Sequence, residues 1–217
     1  MGNMTKLILV RHCQSMGNML KIFTGQTDID LTELGKKQAG LLCGYLENYN
    51  IDKIYSSDLV RAYNTALPTA KKKGIEIIKD KNLREINAGI WEKMPFEEIE
   101  KNYKKQYGIW LGDIGKAACP GGESVFDLKN RIEKEISKIV CENEGKTVMV
   151  VSHGTPIRAM FCIWKGIDIK NMSDISWVAN ASVSVAEYEN IKELPKITLY
   201  GYCDYLNEYQ STLPANV

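Results

Sequence analysis

The chain holds two histidines, and each follows a run of apolar β-formers: Leu7-Ile8-Leu9-Val10-Arg11-His12 and Val148-Met149-Val150-Val151-Ser152-His153-Gly154. In a parallel sheet the carboxyl ends of strands line the crevice where ligands bind, so two such ends can bring both imidazoles into one pocket. Either histidine alone reads equally well as a polar residue ending a strand; the pair points to function. Arginine use adds to this, because only five arginines stand among a lysine majority. Arg11 adjoins His12, Arg61 lies three residues past a candidate helix cap at Asp58, and Arg158 lies three past Thr155. First-turn guanidiniums and helix N-terminal amides favour an anion on the same face. Arginine suits phosphate or carboxylate because its planar fork forms paired hydrogen bonds. Arg131, mid-helix with Glu133 and Glu135, reads as a surface ion-pair residue.

Imidazoles, guanidiniums and helix N-termini together describe a phosphoryl site without a metal. A neutral imidazole can attack phosphorus while cations offset charge on the equatorial oxygens. The leaving oxygen still needs a proton, so a carboxyl group must approach from another loop. Glu85, in Leu83-Arg84-Glu85-Ile86, is the candidate by position, although spacing equally allows a surface partner for Arg84.

The elements that must position these groups are short β-rich runs alternating with longer helical patterns, an α/β arrangement with a largely parallel sheet covered on both faces. Strands are predicted at Lys6–Val10, Ile51–Tyr55, Ile75–Ile78, Thr147–Val151, Ser182–Tyr188 and Lys196–Tyr202. Thr32 caps a helix with Leu34, Leu41, Leu42, Tyr45 and Leu46 on its apolar face, and Asp58 caps one ending near the Lys71–Lys73 run. A helix is predicted from Pro95 to about Tyr107. Another follows the Cys119-Pro120-Gly121-Gly122 loop, with Ser124 and Asp127 as a capping box and Val125, Leu128, Ile132, Ile136 and Ile139 as its buried stripe. Pro156 opens a helix to Trp164. Residues 1–217 read as one domain, with a lid-like insertion at about 91–122 and a polar surface tail at about 204–217. Trp91, Tyr103, Tyr107 and Trp110 in the insertion either contact a leaving group or pack the lid against the sheet; packing is the simpler reading. Asn180-Ala181-Ser182 either supports the site or begins a strand.

The block Arg11-His12-Cys13-Gln14-Ser15 resembles the Arg-His-Gly signature of the histidine phosphatase superfamily, the phosphoglycerate mutase-like family. The resemblance continues through Asn18, Phe23-Thr24-Gly25, Leu31-Thr32-Glu33-Leu34-Gly35 and Ser56-Ser57-Asp58-Leu59-Val60-Arg61-Ala62. It extends to Leu83-Arg84-Glu85-Ile86-Asn87, Pro120-Gly121-Gly122-Glu123-Ser124 and Ser152-His153-Gly154, in family order. It implies a three-layer α/β/α sandwich and a covalent phosphohistidine. By that resemblance His12 is the nucleophile, Arg11, Arg61 and His153 clasp the phosphoryl group, and Glu85 is the proton donor. Asn18, Thr24, Gly25 and Gly154 match positions near the substrate, and Arg158 either joins them or buttresses the pocket. Cys13 departs from the pattern, standing where the signature has glycine, which can supply a backbone angle or room that a side chain does not.

The implied activity is a metal-independent phosphomonoesterase acting on a small phosphorylated metabolite, with no cofactor. Two other readings stay open: mutase-type phosphotransfer, and a non-catalytic phosphoester-binding module prompted by Cys13. The Pro-Gly-Gly-Glu-Ser loop and the length of the chain resemble the phosphatase branch. Cysteine as nucleophile is set aside because a tyrosine-phosphatase-type loop needs arginine where Met19 stands, and no Gly-Lys-Ser/Thr phosphate loop occurs.

Composition is compatible with this. The 217 residues are 44% apolar and 25% charged, which fits one globular domain rather than a disordered or fibrous chain. Lys and Arg number 28 against 27 acids, a balance that provides no bulk field for nucleic acid or membrane. The six cysteines show no paired spacing, so free thiols and a cytoplasmic location are expected, without a metal site. No run approaches the roughly 20 apolar residues of a spanning helix. Gly2 lacks the downstream Ser or Thr of a myristoylation motif, since Lys6 stands there.

Overall fold

The computed structural model describes residues 4–190 and 192–211. Gly2 and the last part of the expected tail, 212–217, lie outside them. One six-stranded sheet in the order β3-β2-β4-β1-β5-β6 organises the molecule. Its strands are β1 (Thr5–Arg11), β2 (Lys53–Ser57), β3 (Ile77–Asp80), β4 (Thr147–Ser152), β5 (Val183–Tyr188) and β6 (Lys196–Tyr202). The first four are parallel to one another, and β5 and β6 complete the sheet antiparallel.

Side chains alternate across a strand, so β1 and β4 each feed two cores. Leu7, Leu9, Val148 and Val150 join one core with helices α6 (Val125–Glu142) and α7 (Gly154–Lys165). Ile8, Val10, Met149 and Val151 join the other, against α2 (Glu33–Tyr45) and α3 (Val60–Lys73). The result is the three-layer α/β/α sandwich. Among the described residues the other α-helices are α1 (Met16–Leu20), α4 (Phe96–Asn102) and α5 (Lys104–Gly112).

The predicted caps at Thr32 and Ser124 form, the latter as a reciprocal box with Asp127. Other local readings change. Asp58 does not cap α3, whose N-cap Leu59 has no side-chain bond; its carboxylate instead takes a two-pronged bond from Arg84 at 2.6 and 2.7 Å. The cap of α7 is His153 rather than Thr155. The helix expected at 95–107 is two helices, broken where Tyr103 adopts φ −127° and ψ 36°. Strands β2 and β3 begin two residues later than predicted, since Ile51 is buried without entering the ladder.

The expected polar tail is not a tail where it is described. Asp204–Tyr209 forms 3-10 turns, Leu206 is fully buried, and Tyr205 stacks on Tyr45 with ring centroids 4.6 Å apart. Its aromatic and leucine side chains find partners that lie far away in sequence, on α2 and beside β5. Among the described residues no helix is long and apolar enough to cross a membrane.

Candidate active site

Strands β1 and β4 are neighbours with Arg11 opposite Ser152, so the next residue on each is a histidine. The two rings meet with centroids 5.1 Å apart. His12 Nδ1 lies 2.7 Å from the carbonyl of Cys13. A carbonyl can only accept, so Nδ1 carries the proton and Nε2 keeps its lone pair. His153 Nε2 is 2.8 Å from the Ser57 hydroxyl, while its buried Nδ1 has no partner within the protein.

Two guanidiniums share the cavity with His12. Arg11, at the end of β1, donates to the carbonyl of Val178 at 2.6 Å, and its buried Nε has no protein partner. Arg61, in the first turn of α3, donates to the carbonyls of Thr27 and Gly25 at 2.8 and 2.7 Å. Burial lowers both to about 10, which leaves them cationic at neutral pH. Burial, then the charges of Arg61 and Arg11, hold His12 well below the usual imidazole range. His153 is depressed in the same way, first by burial and then by Arg61 and His12. Both rings are therefore neutral at physiological pH.

Glu85 is the carboxyl group at this site. Its oxygens accept from the amides of Ile86 at 2.8 Å and Thr155 at 3.3 Å. Burial raises it above the usual carboxylate range, and those amides oppose the rise only in part. The alternative of a surface pair with Arg84 does not form, because Arg84 is engaged by Asp58.

Asn18, Thr24, Gly25, Gly154 and Thr155 line the same cavity, whose volume is about 590 Å³ including its open mouth. Gly25 has φ +49°, and a Cβ there would come within 2.1 Å of the Glu92 carboxylate. At Gly154 a Cβ would meet the Trp177 ring at 2.9 Å and the Arg11 guanidinium carbon at 3.5 Å. A side chain at Gly25 would be strained by the left-handed backbone and crowd Glu92 and Ala88, while one at Gly154 would push on the Trp177 ring. Arg158 is not in the lining; it donates to the carbonyls of Ile175 and Met172 and lies over the Trp177 ring at 4.4 Å.

A model of the histidine phosphatase superfamily (branch 1) matches residues 7–198. The chain belongs to that superfamily. Phosphoserine phosphatase 1 of Hydrogenobacter thermophilus is 40% identical over 186 residues, covering 86% of this chain and 88% of the relative. Among solved structures, Bacillus stearothermophilus YhfR superposes with a TM-score of 0.89 at 27% identity, over 94% of this chain and all of that one. A mycobacterial glucosyl-3-phosphoglycerate phosphatase gives a TM-score of 0.85 at 25% identity, over 92% of this chain and all of its own. The protein is accordingly a phosphatase, a hydrolase of phosphate monoesters.

Several supports of this histidine phosphatase site are invisible in local sequence. Arg131 is not a surface ion-pair residue among Glu133 and Glu135. It bonds Glu123 through two nitrogens at 2.9 and 2.8 Å and reaches the carbonyls of Asn82, Arg84 and Glu85, holding the loop that carries Glu85. Glu92 accepts from the amides of Gln26, Thr27 and Ala88, which fixes the loop whose carbonyls hold Arg61. Asn180, for which the sequence left a supporting role open, precedes β5 and donates to the carbonyl of His12 at 3.0 Å and to Asn18 at 3.3 Å. Cys13 is fully buried among Leu31, Ala39, Ala181 and Leu206, away from the cavity lining, and its φ is not positive. Burial raises its thiol to about 12, so it stays protonated.

Proposed function

We propose that the chain is a metal-independent phosphomonoesterase that works through a phosphohistidine at His12. The carrying observation is the Nδ1–H bond to the Cys13 carbonyl, which leaves the Nε2 lone pair beside Arg11 and Arg61. A phosphate dianion takes the free guanidinium edges and the helix α7 N-terminus, and His153 contributes its unpartnered Nδ1. Nε2 attacks phosphorus, the bond to the alcohol oxygen breaks, and protonated Glu85 gives that oxygen its proton. Water then attacks the phosphohistidine with Glu85 carboxylate accepting its proton, the P–N bond breaks, and phosphate leaves. Asn18, Thr24, Gly25 and Gly154 shape the substrate side of the pocket. Residues 1–217 act as one catalytic domain, with 91–122 as its roof.

The substrate is a small phosphorylated metabolite, and the 40% identical phosphoserine phosphatase makes O-phosphoserine an ester to test. Six free cysteines favour a reducing, cytoplasmic setting. The test is phosphate release from an ester panel in EDTA, with rapid quenching to trap an acid-labile phosphoenzyme. Turnover with a labelled intermediate that vanishes in His12→Ala is the expected result. A folded protein that binds vanadate yet releases no phosphate from any ester would overturn the reading. Transfer of the phosphoryl group between positions of a glycerate, with little release to water, would indicate a mutase instead.

A further inference from the structure

Beyond the phosphoryl-binding residues, the cavity changes character. Ile22, Phe23, Phe96, Trp110 and Trp177 line it there. Three of these form one edge-packed cluster, with Phe23 centroids 4.9 Å from Trp110 and 5.9 Å from Phe96. The cluster joins a loop after α1 to both lid helices. Trp177 arrives from a separate segment before β5, with the Arg158 guanidinium over its ring at 4.4 Å. Arg158 is itself held by two carbonyls at 2.8 and 2.7 Å. The indole is therefore fixed from behind, half-buried, with a cavity-facing side.

Charge in the lining is equally informative. Its arginines are Arg11 and Arg61, the pair that receives the phosphoryl group, and its carboxylate is Glu85. The rest of the described lining is neutral. Beside the rings, the lining offers the neutral polar side chains of Ser15, Asn18, Thr24 and Thr155, so a second anionic group on the substrate would find no cation other than the pair already engaged by phosphate. An aromatic or branched apolar group would instead bury its surface against rings already held in place.

Resting on the phosphomonoesterase reading, we infer that the substrate is the phosphate monoester of an uncharged, apolar or aromatic alcohol, with Trp177 as a specificity-determining wall and Arg158 as the residue that positions it. The test compares primary alkyl esters, whose leaving groups differ little in basicity: 2-phenylethyl phosphate, ethyl phosphate, O-phosphoserine and 3-phosphoglycerate. The wild type is expected to show at least about tenfold higher kcat/KM for 2-phenylethyl phosphate than for either carboxylate-bearing ester. Trp177→Leu is expected to reduce the ratio of 2-phenylethyl to ethyl phosphate kcat/KM at least fivefold, mainly through KM. Arg158→Gln is expected to move the same ratio in the same direction, and Trp177→Phe to restore much of it. Vanadate-induced thermal stabilisation reports that each variant folds with its phosphate end intact. A wild-type preference for O-phosphoserine or 3-phosphoglycerate overturns the inference while leaving the phosphomonoesterase standing. An unchanged ratio in Trp177→Leu overturns the role of the wall. Failure to hydrolyse any of the four would instead count against the enzymatic reading itself.

Discussion

The two ends of the cavity are built by different physics. At the phosphate end almost every group is tied by directional bonds: Arg61 to two carbonyls, Arg11 to one, His12 to Cys13, and Glu85 to two amides. Behind these stand Glu92, Arg131 and Asn180, each bonding backbone rather than substrate. At the other end Phe23, Phe96 and Trp110 hold one another by packing alone. Hydrogen bonds fix position to fractions of an ångström, whereas packed rings accept volume-conserving exchange at small cost. The first end should fail abruptly under substitution and the second should drift in preference.

The contrast is sharpest at His12, the proposed nucleophile. His12→Ala is expected to lower kcat about 10⁴-fold or more in steady-state phosphate release, with vanadate-free thermal stability little changed. Glu85→Gln should cost about 10²–10³-fold on alkyl esters and distinctly less on an aryl phosphate, whose leaving oxygen needs less help. The sign of the pH dependence follows from the same two groups. The proposed mechanism needs His12 neutral, and its depressed pKa keeps it so well below the usual imidazole range. The same mechanism needs Glu85 protonated, and its raised pKa extends that condition above the usual carboxylate range. After allowing for substrate ionisation, kcat/KM should fall with acid as His12 protonates and with alkali as Glu85 ionises. The alkaline limb should be lost in Glu85→Gln.

Arg131→Ala probes support without contact. It should lower kcat about tenfold with KM nearly constant and destabilise by about 1–3 kcal/mol in chemical unfolding, because it strips bonds from the Glu85 loop. Arg131→Lys should recover only part of the rate, since a point charge cannot fork to Glu123. The smallest effect belongs to Cys13→Gly. With the thiol packed away from the cavity and no positive φ to relieve, activity should stay within about threefold, while stability falls by roughly 1 kcal/mol as apolar contact is lost. A large gain of activity there would mean that Cys13 constrains the phosphate end after all.

What was legible in sequence follows the same division. Strand-end histidines, first-turn Arg61 and the capping box at Ser124 are local patterns, and local geometry realises them. Glu85 needed the family motif, because spacing alone could not separate it from a partner of Arg84. Trp177, Arg131, Glu92 and the burial of Leu206 are set by contacts across scores of residues, and no periodicity announces them. Asp58 shows how a distant partner overrides a local rule: a good capping residue gave up its cap for a forked ion pair with Arg84.

The place of β1 in the sheet has a consequence for how the protein is made. It is the earliest of the six strands to leave the ribosome, yet its ladders run to β4 and β5, in residues 147–188. At about 5–20 residues per second, the apolar segment Leu7–Val10 waits on the order of ten seconds or more for its neighbours. During that interval it is a bare strand edge suited to chaperones or to aggregation. The proposed nucleophile therefore directly follows the strand that waits longest for its first ladder partner.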